Sequence, residues 1–161
     1  MFFYSIPLII NVSDHKEISP MNILFFLMPK HEVIYVTEND DLHTALDTLK
    51  NSGYTAIPIL STEGGYIGTI TEGDFLWFLR ENKNYDVEAL GSMSIMDIPR
   101  RTKAKPVTVK SSMEDLTLRA MDQNFMAVID DAKHFIGIIT RRSLLEYGYS
   151  MLPKAKENEK E

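Results

Sequence analysis

Ile67-Gly68-Thr69-Ile70-Thr71 and Ile136-Gly137-Ile138-Ile139-Thr140 are two versions of one short segment, placed 69 residues apart in a chain of 161 residues. Each reads as an apolar strand that ends in a threonine, and a helix with apolar periodicity follows directly. A repeat at this spacing indicates one structural unit used twice. The copies differ after the threonine, where Glu72-Gly73-Asp74 stands in one and Arg141-Arg142-Ser143 in the other. Function is to be sought in this difference.

Both copies lie in the same predicted order of elements, which is strand, helix, strand, strand, helix. In the first unit we predict strands at 33–36, 56–60 and 66–71, and helices from about 42 to 52, ended by Gly53, and from 72 to about 80. In the second unit we predict strands at 106–109, 125–129 and 135–140, and helices that begin after Ser111-Ser112 and at 141, the last ending near 147. Pro58 indicates an edge strand or an irregular rung. The predicted fold class is α+β, with two β-α-β-β-α halves packed sheet to sheet as one pseudo-two-fold module.

Chain length and composition restrict this plan further. Units of roughly 60–70 residues would be marginal alone, so the halves are expected to share a core. The predicted organisation is a leader at 1–22, a first repeat at 23–80, a linker at 81–98, a second repeat at 99–150 and a disordered charged tail at 151–161. The absence of cysteine is typical of a reducing compartment, and we predict a cytoplasmic protein. The net charge of −6 argues against nucleic acid as a partner.

The first ten residues are apolar, but about ten residues are too few to span a bilayer. They also lack the basic region and cleavage site of a signal peptide. A packing arm, a disordered lead-in and a translation start assigned too early, ahead of Met21, all remain open. We expect no membrane partner.

The starts of the two final helices favour different chemistry. Thr71 and Asp74 have the spacing of a capping box, but a helix N-terminus can also accept a phosphate, and an aspartate there can hold a ribose diol. Arg141 and Arg142 occupy the first turn of a helix, where the macrodipole disfavours cations by roughly 0.3–1 kcal/mol each. A bound phosphate would reverse this effect, since guanidinium groups bind phosphate in a bidentate manner. Solvated or salt-bridged arginines are the simpler alternative.

A basic cluster also suggests an anionic ligand, although a solvated linker would explain it equally well. It occupies eleven residues without an acid, and its members are Arg100, Arg101, Lys103, Lys105 and Lys110. We align Lys105 and Val107 of the second unit with Glu32 and Ile34 of the first. Tyr54 and Thr55 align loosely with Asn124 and Phe125, and an aromatic ring there could stack on a purine or simply be part of the core.

The order of elements and the G-x-[IV]-T-x-x-D pattern resemble the paired cystathionine-β-synthase (CBS) domains of a Bateman module, over about residues 24–149. Gly53 to Pro58, Asp97 to Arg100 and Thr140 to Arg142 further resemble stand-alone bacterial CBS-pair receptors for cyclic di-AMP. In those receptors the Tyr-Thr pair, the two arginines and a lysine ahead of the first strand contact the ligand, and Glu32 aligns here with that lysine. The resemblance implies that the following residues contact a nucleotide: Ile34, Tyr54, Thr55, Ala56, Thr71, Asp74, Arg100, Lys105, Val107, Asn124, Phe125, Thr140, Arg141, Arg142 and Ser143.

The resemblance implies a non-enzymatic sensor that binds AMP, ADP, ATP or cyclic di-AMP, forms a homodimer and signals to an effector protein not identifiable from the sequence. No cofactor is expected beyond this ligand, and the four histidines lack metal-ligand spacing. Ser143, which replaces the aspartate of the pattern, weakens the ribose contact in the second unit. The alternative is a ligand-free interaction and dimerisation module. A nucleotide hydrolase would need a base and usually a metal, and neither is evident.

Overall fold

The computed structural model describes residues 22–82, 91–101 and 103–152. All of the predicted leader except Asn22, most of the charged tail and the middle of the linker lie outside these residues. The strands are β1 (Leu27–Pro29), β2 (Val36–Thr37), β3 (Ala56–Leu60), β4 (Tyr66–Thr71), β5 (Val107–Thr108), β6 (Phe125–Ile129) and β7 (Phe135–Thr140). The helices are α1 (Leu42–Ser52), α2 (Glu72–Glu81), α3 (Met113–Ala120) and α4 (Arg141–Ser150), and short 3₁₀ turns lie at Ile23–Phe26, Lys30–Glu32 and Ile95–Asp97.

The four longer strands begin and end at the residues expected from the sequence, because each is an apolar, mostly β-branched run bounded by turn residues. The two leading strands are shorter than predicted. Val36 pairs with Ile59 in a parallel ladder of two residues, and Val107 pairs with Val128 in the same way. Val33 lies outside β2, because its amide hydrogen bonds the Lys30 carbonyl in a 3₁₀ turn.

The strands form two sheets, in the orders β2-β3-β4 and β1-β7-β6-β5. Pro58 lies in the central strand of the first sheet, but β2 reaches only Ile59 and Leu60, so no β2 residue pairs at its missing N–H. The second sheet contains a strand that the sequence did not predict. β1 comes from the start of the first repeat, ahead of β2, and pairs antiparallel with β7 of the second repeat, with Leu27 opposite Ile139 and Pro29 opposite Gly137.

The two sheets pack face to face, which confirms the predicted α+β sandwich. Side chains from both halves form a buried cluster between the sheets, which contains Val33, Leu60, Ala127, Phe135 and Ile138. The rings of Tyr66 and Phe135 stack across this interface with centroids 6.3 Å apart. One further cluster lies between each sheet and its helices, so the helices cover the outer faces.

The strand registers correct the alignment of the two repeats. β3 and β6 are equivalent, so the partners of Ile59 and Val128 must also be equivalent, and these are Val36 and Val107. Val107 therefore takes the place of Val36, and Lys105 takes the place of Ile34 instead of Glu32. The difference of two residues arises because α3 is shorter than α1 at its C-terminal end.

Candidate functional site

The first candidate site is a cavity of about 240 Å³ between the two sheets, which we call cleft A. Its wall is mostly apolar, and the Tyr54 side chain at its edge is half exposed. It brings together six of the predicted contacts, from both repeats: Ile34, Tyr54, Thr55, Ala56, Asn124 and Phe125. The remaining lining residues are Met28, Val33, Gly53, Pro58 and Ile138.

A chain of hydrogen bonds joins the two repeats at the rim of cleft A. The Arg141 guanidinium donates to Asn124 Oδ1, and the Asn124 amide donates to Thr55 Oγ1 over 3.3 Å. The backbone amide of Arg141 also donates to the Asn124 carbonyl, over 2.8 Å. These bonds hold a cationic group beside the lining residues Thr55 and Asn124.

Arg142 is held differently. Its Nε donates to Glu146 Oε1 over 2.8 Å, and both side chains are largely exposed. This hydrogen bond raises the pKa of Arg142. The two residues are separated by four positions on α4, a spacing that stabilises a helix. Thus Arg141 is held beside the cleft by Asn124, whereas Arg142 is paired with Glu146 on its own helix.

The two final helices begin with opposite electrostatics. The first turn of α4 contains Arg141 and Arg142 and no acid, whereas the first turn of α2 contains Glu72 and Asp74. Thr140 caps α4 by accepting the Ser143 amide over 3.0 Å, and the Ser143 hydroxyl turns back to donate to the Thr140 carbonyl. The α4 start can therefore complement an anion, and the α2 start already carries its own negative charge.

Asp74 is buried, and both of its carboxylate oxygens accept hydrogen bonds from within the protein. One carboxylate oxygen accepts from the Thr71 amide and hydroxyl, over 3.0 and 2.8 Å, and Thr71 Oγ1 accepts the Asp74 amide. The other oxygen accepts the Arg101 amide over 3.0 Å, which ties the start of the second repeat to α2. Only 2% of Asp74 is exposed. This geometry favours the capping interpretation, because a ribose could reach the carboxylate only after Arg101 moved.

We predict that Asp74→Ala lowers the free energy of unfolding by about 2 kcal/mol, since it removes a helix cap and leaves a part-buried amide unpaired. Asp115→Ala is the matched control, because Asp115 completes the same capping box on α3 but is exposed. Its expected loss is about 1 kcal/mol. Urea unfolding of both variants measures the difference, and equal losses would show that the bond to Arg101 contributes nothing.

A smaller cavity of about 100 Å³, cleft B, is the counterpart of cleft A on the other side of the pseudo-two-fold axis. Gln123 and Asn124 stand there where Tyr54 and Thr55 stand in cleft A, and Thr71 lies at its edge. No arginine or lysine lines it. Gln123 Oε1 is buried and has no hydrogen-bond partner among the described residues. Cleft B is thus less suited to a phosphate than cleft A.

A third cavity, of about 480 Å³, lies between β4 and the linker. Arg100, Lys103 and Lys105 line it together with Tyr66. The structure therefore separates Arg100 and Lys105 from cleft A, although both were predicted to contact the same nucleotide as the residues of that cleft. The other basic residues have their own contacts, since Arg101 stacks on Trp77 and Lys110 pairs with Asp131.

Burial raises the pKa of the Tyr66 hydroxyl above its usual value, although a hydrogen bond to Thr69 and the nearby Arg100 oppose this. A raised pKa means that the folded state holds this proton more tightly than the unfolded state. The resulting stability is complete below about pH 10 and is lost as the pH rises through the higher folded-state value.

We expect Tyr66→Phe to lose less stability than wild type between pH 8 and 11 in urea unfolding. Tyr35→Phe, at an exposed tyrosine, should keep the wild-type profile; if both variants keep it, Tyr66 is not the responsible group.

Five lining residues of cleft A were missed by sequence reasoning, and one of them, Gly53, was predicted only as the residue that ends α1. Met28 comes from the unpredicted strand β1, and Val33 from the 3₁₀ turn that displaces the start of β2. Pro58 and Ile138 lie on correctly predicted strands, and their position between two sheets depends on tertiary packing. Conversely, Val107 lies in none of the three cavities, because its side chain is buried in the core of the second repeat.

Among the described residues, no three His, Asp or Glu side chains are grouped so that they could hold a metal ion. In the same part of the chain, no helix has the length and apolar character that crossing a membrane requires.

The two halves of the molecule both match one family model. The model of the CBS domain matches residues 26–81 and again residues 95–150. The chain belongs to the CBS domain family. The tandem CBS arrangement expected from the paired segments is thereby confirmed.

Relatives of this CBS pair include receptors for a nucleotide. The chain is 29% identical over 126 residues to cyclic di-AMP receptor B of Bacillus subtilis. The matched region covers 75% of this chain and 82% of that protein. A hypothetical conserved protein from Geobacillus kaustophilus has a similar structure, with a TM-score of 0.75 and 26% identity over 82% of this chain and 98% of that one. CbpB of Listeria monocytogenes, solved in complex with c-di-AMP, gives a TM-score of 0.71 at 24% identity over 80% and 95% of the two chains, which supports the shared fold.

Proposed function

We propose that cleft A binds an adenine nucleotide, with cyclic di-AMP as the first candidate, and that the CBS pair acts as a non-enzymatic sensor. The observation that carries this proposal is the Arg141 guanidinium, held by Asn124 beside a cleft with apolar walls. The base would lie between the sheets, and Tyr54 offers an exposed ring for stacking. The phosphates would lie at the start of α4, where two guanidinium groups and the helix dipole favour negative charge.

The similarity to cyclic di-AMP receptor B supports this ligand over the mononucleotides. Glu32 aligns with a ligand-binding lysine of the receptors that the sequence resembles, and a carboxylate at the ligand would repel a diphosphate. Its side chain is exposed, pairs with His31 over 3.5 Å, and does not line cleft A. The negative charge therefore faces solvent, and the cleft itself contains no acid.

Cleft A also lacks the groups that turnover would require. None of its lining residues is an acid, a histidine or a lysine that could act as a general base. The arrangement therefore supports reversible binding. AMP, ADP and ATP remain competing ligands, because each offers an adenine and a phosphate to the same residues.

Signalling would follow if the bound ligand replaced the hydrogen bonds that join the two repeats at the rim of cleft A. Thr55 and Arg141 are joined through Asn124 and belong to different repeats, so a ligand that contacts both would change the link between the repeats. Binding can shift the protein only by its difference in affinity for two arrangements. We further propose a homodimer that presents this difference to an effector protein in the cytoplasm.

A ligand-free interaction module is the second candidate. It is favoured by Asp74, whose carboxylate is occupied by Thr71 and Arg101, and by the small size of cleft B. In this alternative neither cleft binds a nucleotide, and the CBS pair serves only for dimerisation or partner binding.

Calorimetric titration and thermal unfolding with cyclic di-AMP, AMP, ADP and ATP test the proposal. At a ligand concentration about 100 times Kd, binding adds about 2.7 kcal/mol to the free energy of unfolding, a readily measured increase in Tm. We expect the largest increase with cyclic di-AMP. An increase only with a mononucleotide would change the ligand, and no heat and no shift with all four would favour the ligand-free module.

A further inference from the structure

The third cavity, of about 480 Å³ beside β4, has no part in the function proposed above. Three cationic side chains line it, those of Arg100, Lys103 and Lys105, and none of its lining residues is an acid. The residues at the start of β4 form the opposite wall. Its volume lies within the usual range for sites that bind small molecules.

The three cations of this cavity lack counter-charges. In the part of the chain that the structure describes, none of them forms an ion pair, and the Arg100 guanidinium contacts only Met96 Sδ as an acceptor, over 3.8 Å. Arg101, Lys110 and Arg142, by contrast, each pair with a carboxylate. Three unpaired like charges around one cavity repel one another, and a bound anion would remove this repulsion.

The cavity occupies the place that β1 holds in the other half of the molecule. Counted from the equivalent caps of two 3₁₀ turns, Asn22 and Ser94, the segment Pro99–Arg101 corresponds to β1. β1 pairs with β7, but no strand among the described residues pairs with the outer edge of β4. A gap therefore remains along this edge of the first sheet.

The difference between the halves has an identifiable cause. The Asp74 carboxylate accepts the Arg101 amide over 3.0 Å, which holds this segment against α2. The equivalent residue of the second repeat, Ser143, instead donates its hydroxyl to the Thr140 carbonyl. The residue of β1 that corresponds to Arg101 is Pro29, which has no N–H to donate. Only the first repeat therefore has this bond beside its outer strand.

Two of the three cations are positioned by contacts within the protein. The Arg100 side chain lies along Gly68 of β4, where a Cβ would be 3.6 Å from its Cδ and Nε. The Arg119 guanidinium donates to the Lys105 carbonyl over 3.2 Å, which holds the backbone of Lys105. Positioning before binding lowers the entropy that a ligand must cost.

We propose that this cavity binds a small anion with two phosphate groups, at a site separate from cleft A. Each phosphate group carries about −1.5 to −2 charges at pH 7, so two of them match the three cations. A guanidinium binds phosphate oxygens in pairs, and the ammonium groups add compact charges. The cavity offers no free ring for a base, since its one aromatic residue, Tyr66, already stacks on Phe135. The ligand that fits is therefore a phosphate compound without a nucleoside.

Calorimetric titration with inorganic pyrophosphate tests this site in Arg141→Ala, where the start of α4 contributes less to anion binding. We expect one site per chain. Adding Lys103→Ala and Lys105→Ala should weaken binding at least about tenfold, because hydrogen bonds to charged groups are lost. The matched control adds Lys50→Ala and Lys110→Ala, which remove the same charge from exposed positions outside the cavity, and should bind as tightly as Arg141→Ala alone. No binding, or equal weakening in both combinations, would overturn the proposal.

The chemical class of the ligand is tested with sulfate and ADP at the same ionic strength. Pyrophosphate should bind at least about tenfold more tightly than sulfate, since sulfate offers fewer charged oxygens to the three cations. It should also bind at least as tightly as ADP, because nothing in the cavity recognises a nucleoside. Equal affinity for sulfate would show unspecific attraction of anions, and tighter binding of ADP would show a nucleotide site. Either result would overturn the assignment.

Amide chemical shifts of the unmodified chain give a readout that needs no variant. As pyrophosphate is added, we expect the first changes at Gly68, Arg100 and Lys105. Changes confined to Asn124 and Arg141 would place the anion at the rim of cleft A and overturn the proposal.

Discussion

Gly137→Ala is expected to lower the free energy of unfolding by more than about 3 kcal/mol, the upper range for overpacking. A Cβ at Gly137 would lie 2.1 Å from the Met28 carbonyl oxygen and 2.9 Å from Leu27 Cδ1, and the φ angle of this glycine is 155°. The carbonyl belongs to the backbone of β1 and cannot rotate away. Thermal and urea unfolding measure the loss, which corresponds to a fall in Tm of roughly 10 °C.

Gly68→Ala is the matched control, because Gly68 holds the same place in the first repeat. A Cβ there would meet only the flexible Arg100 side chain, at 3.6 Å, which is an ordinary contact. Since no strand pairs with β4 on that side, we expect a change of less than about 1 kcal/mol. Similar losses in the two variants would show that β1 does not lie against β7 in solution.

Arg141→Ala is expected to weaken nucleotide binding at least tenfold, since a hydrogen bond to a charged group contributes about 1.5–3 kcal/mol. Arg142→Ala should weaken it less, because Arg142 is exposed and paired with Glu146, whereas Arg141 is held beside cleft A by Asn124. Calorimetric titration with cyclic di-AMP measures both values.

Lys110→Ala is the control for a general loss of positive charge. Lys110 forms an exposed ion pair with Asp131, away from the lining of cleft A, and such pairs contribute little to stability. Its affinity should match that of wild type. If Arg141→Ala folds normally and binds as tightly as Lys110→Ala, the phosphate does not lie at the start of α4.

The fold was predictable wherever local patterns determine it. The runs at Ala56–Leu60 and Phe135–Thr140 form strands of the expected length because they are apolar and bounded by turns. β1 could not be predicted, because three residues ending in Pro29 carry no strand pattern. Its formation depends on β7, which is more than a hundred residues away in the sequence.

The candidate site was predictable in part. The two arginines at the start of α4 could be identified from the helix dipole, and the Tyr54 and Asn124 segments do meet in cleft A. The alignment of Lys105 with Glu32 was wrong, because α3 is shorter than α1 and no residue pattern marks the two missing positions. The capping of Asp74 was foreseen, but its bond to the Arg101 backbone depends on the path of the linker.

The pairing of β1 with β7 has a consequence for synthesis on the ribosome. β1 leaves the ribosome among the first described residues, but its partner Ile139 is made near the end of the chain. At roughly 5–20 residues per second, β1 waits on the order of ten seconds before it can pair. During that interval the nascent first repeat carries an apolar segment, Ile23 to Pro29, that has no sheet to join. A chaperone that binds short apolar segments would therefore find a target here, and should release it once β7 has emerged.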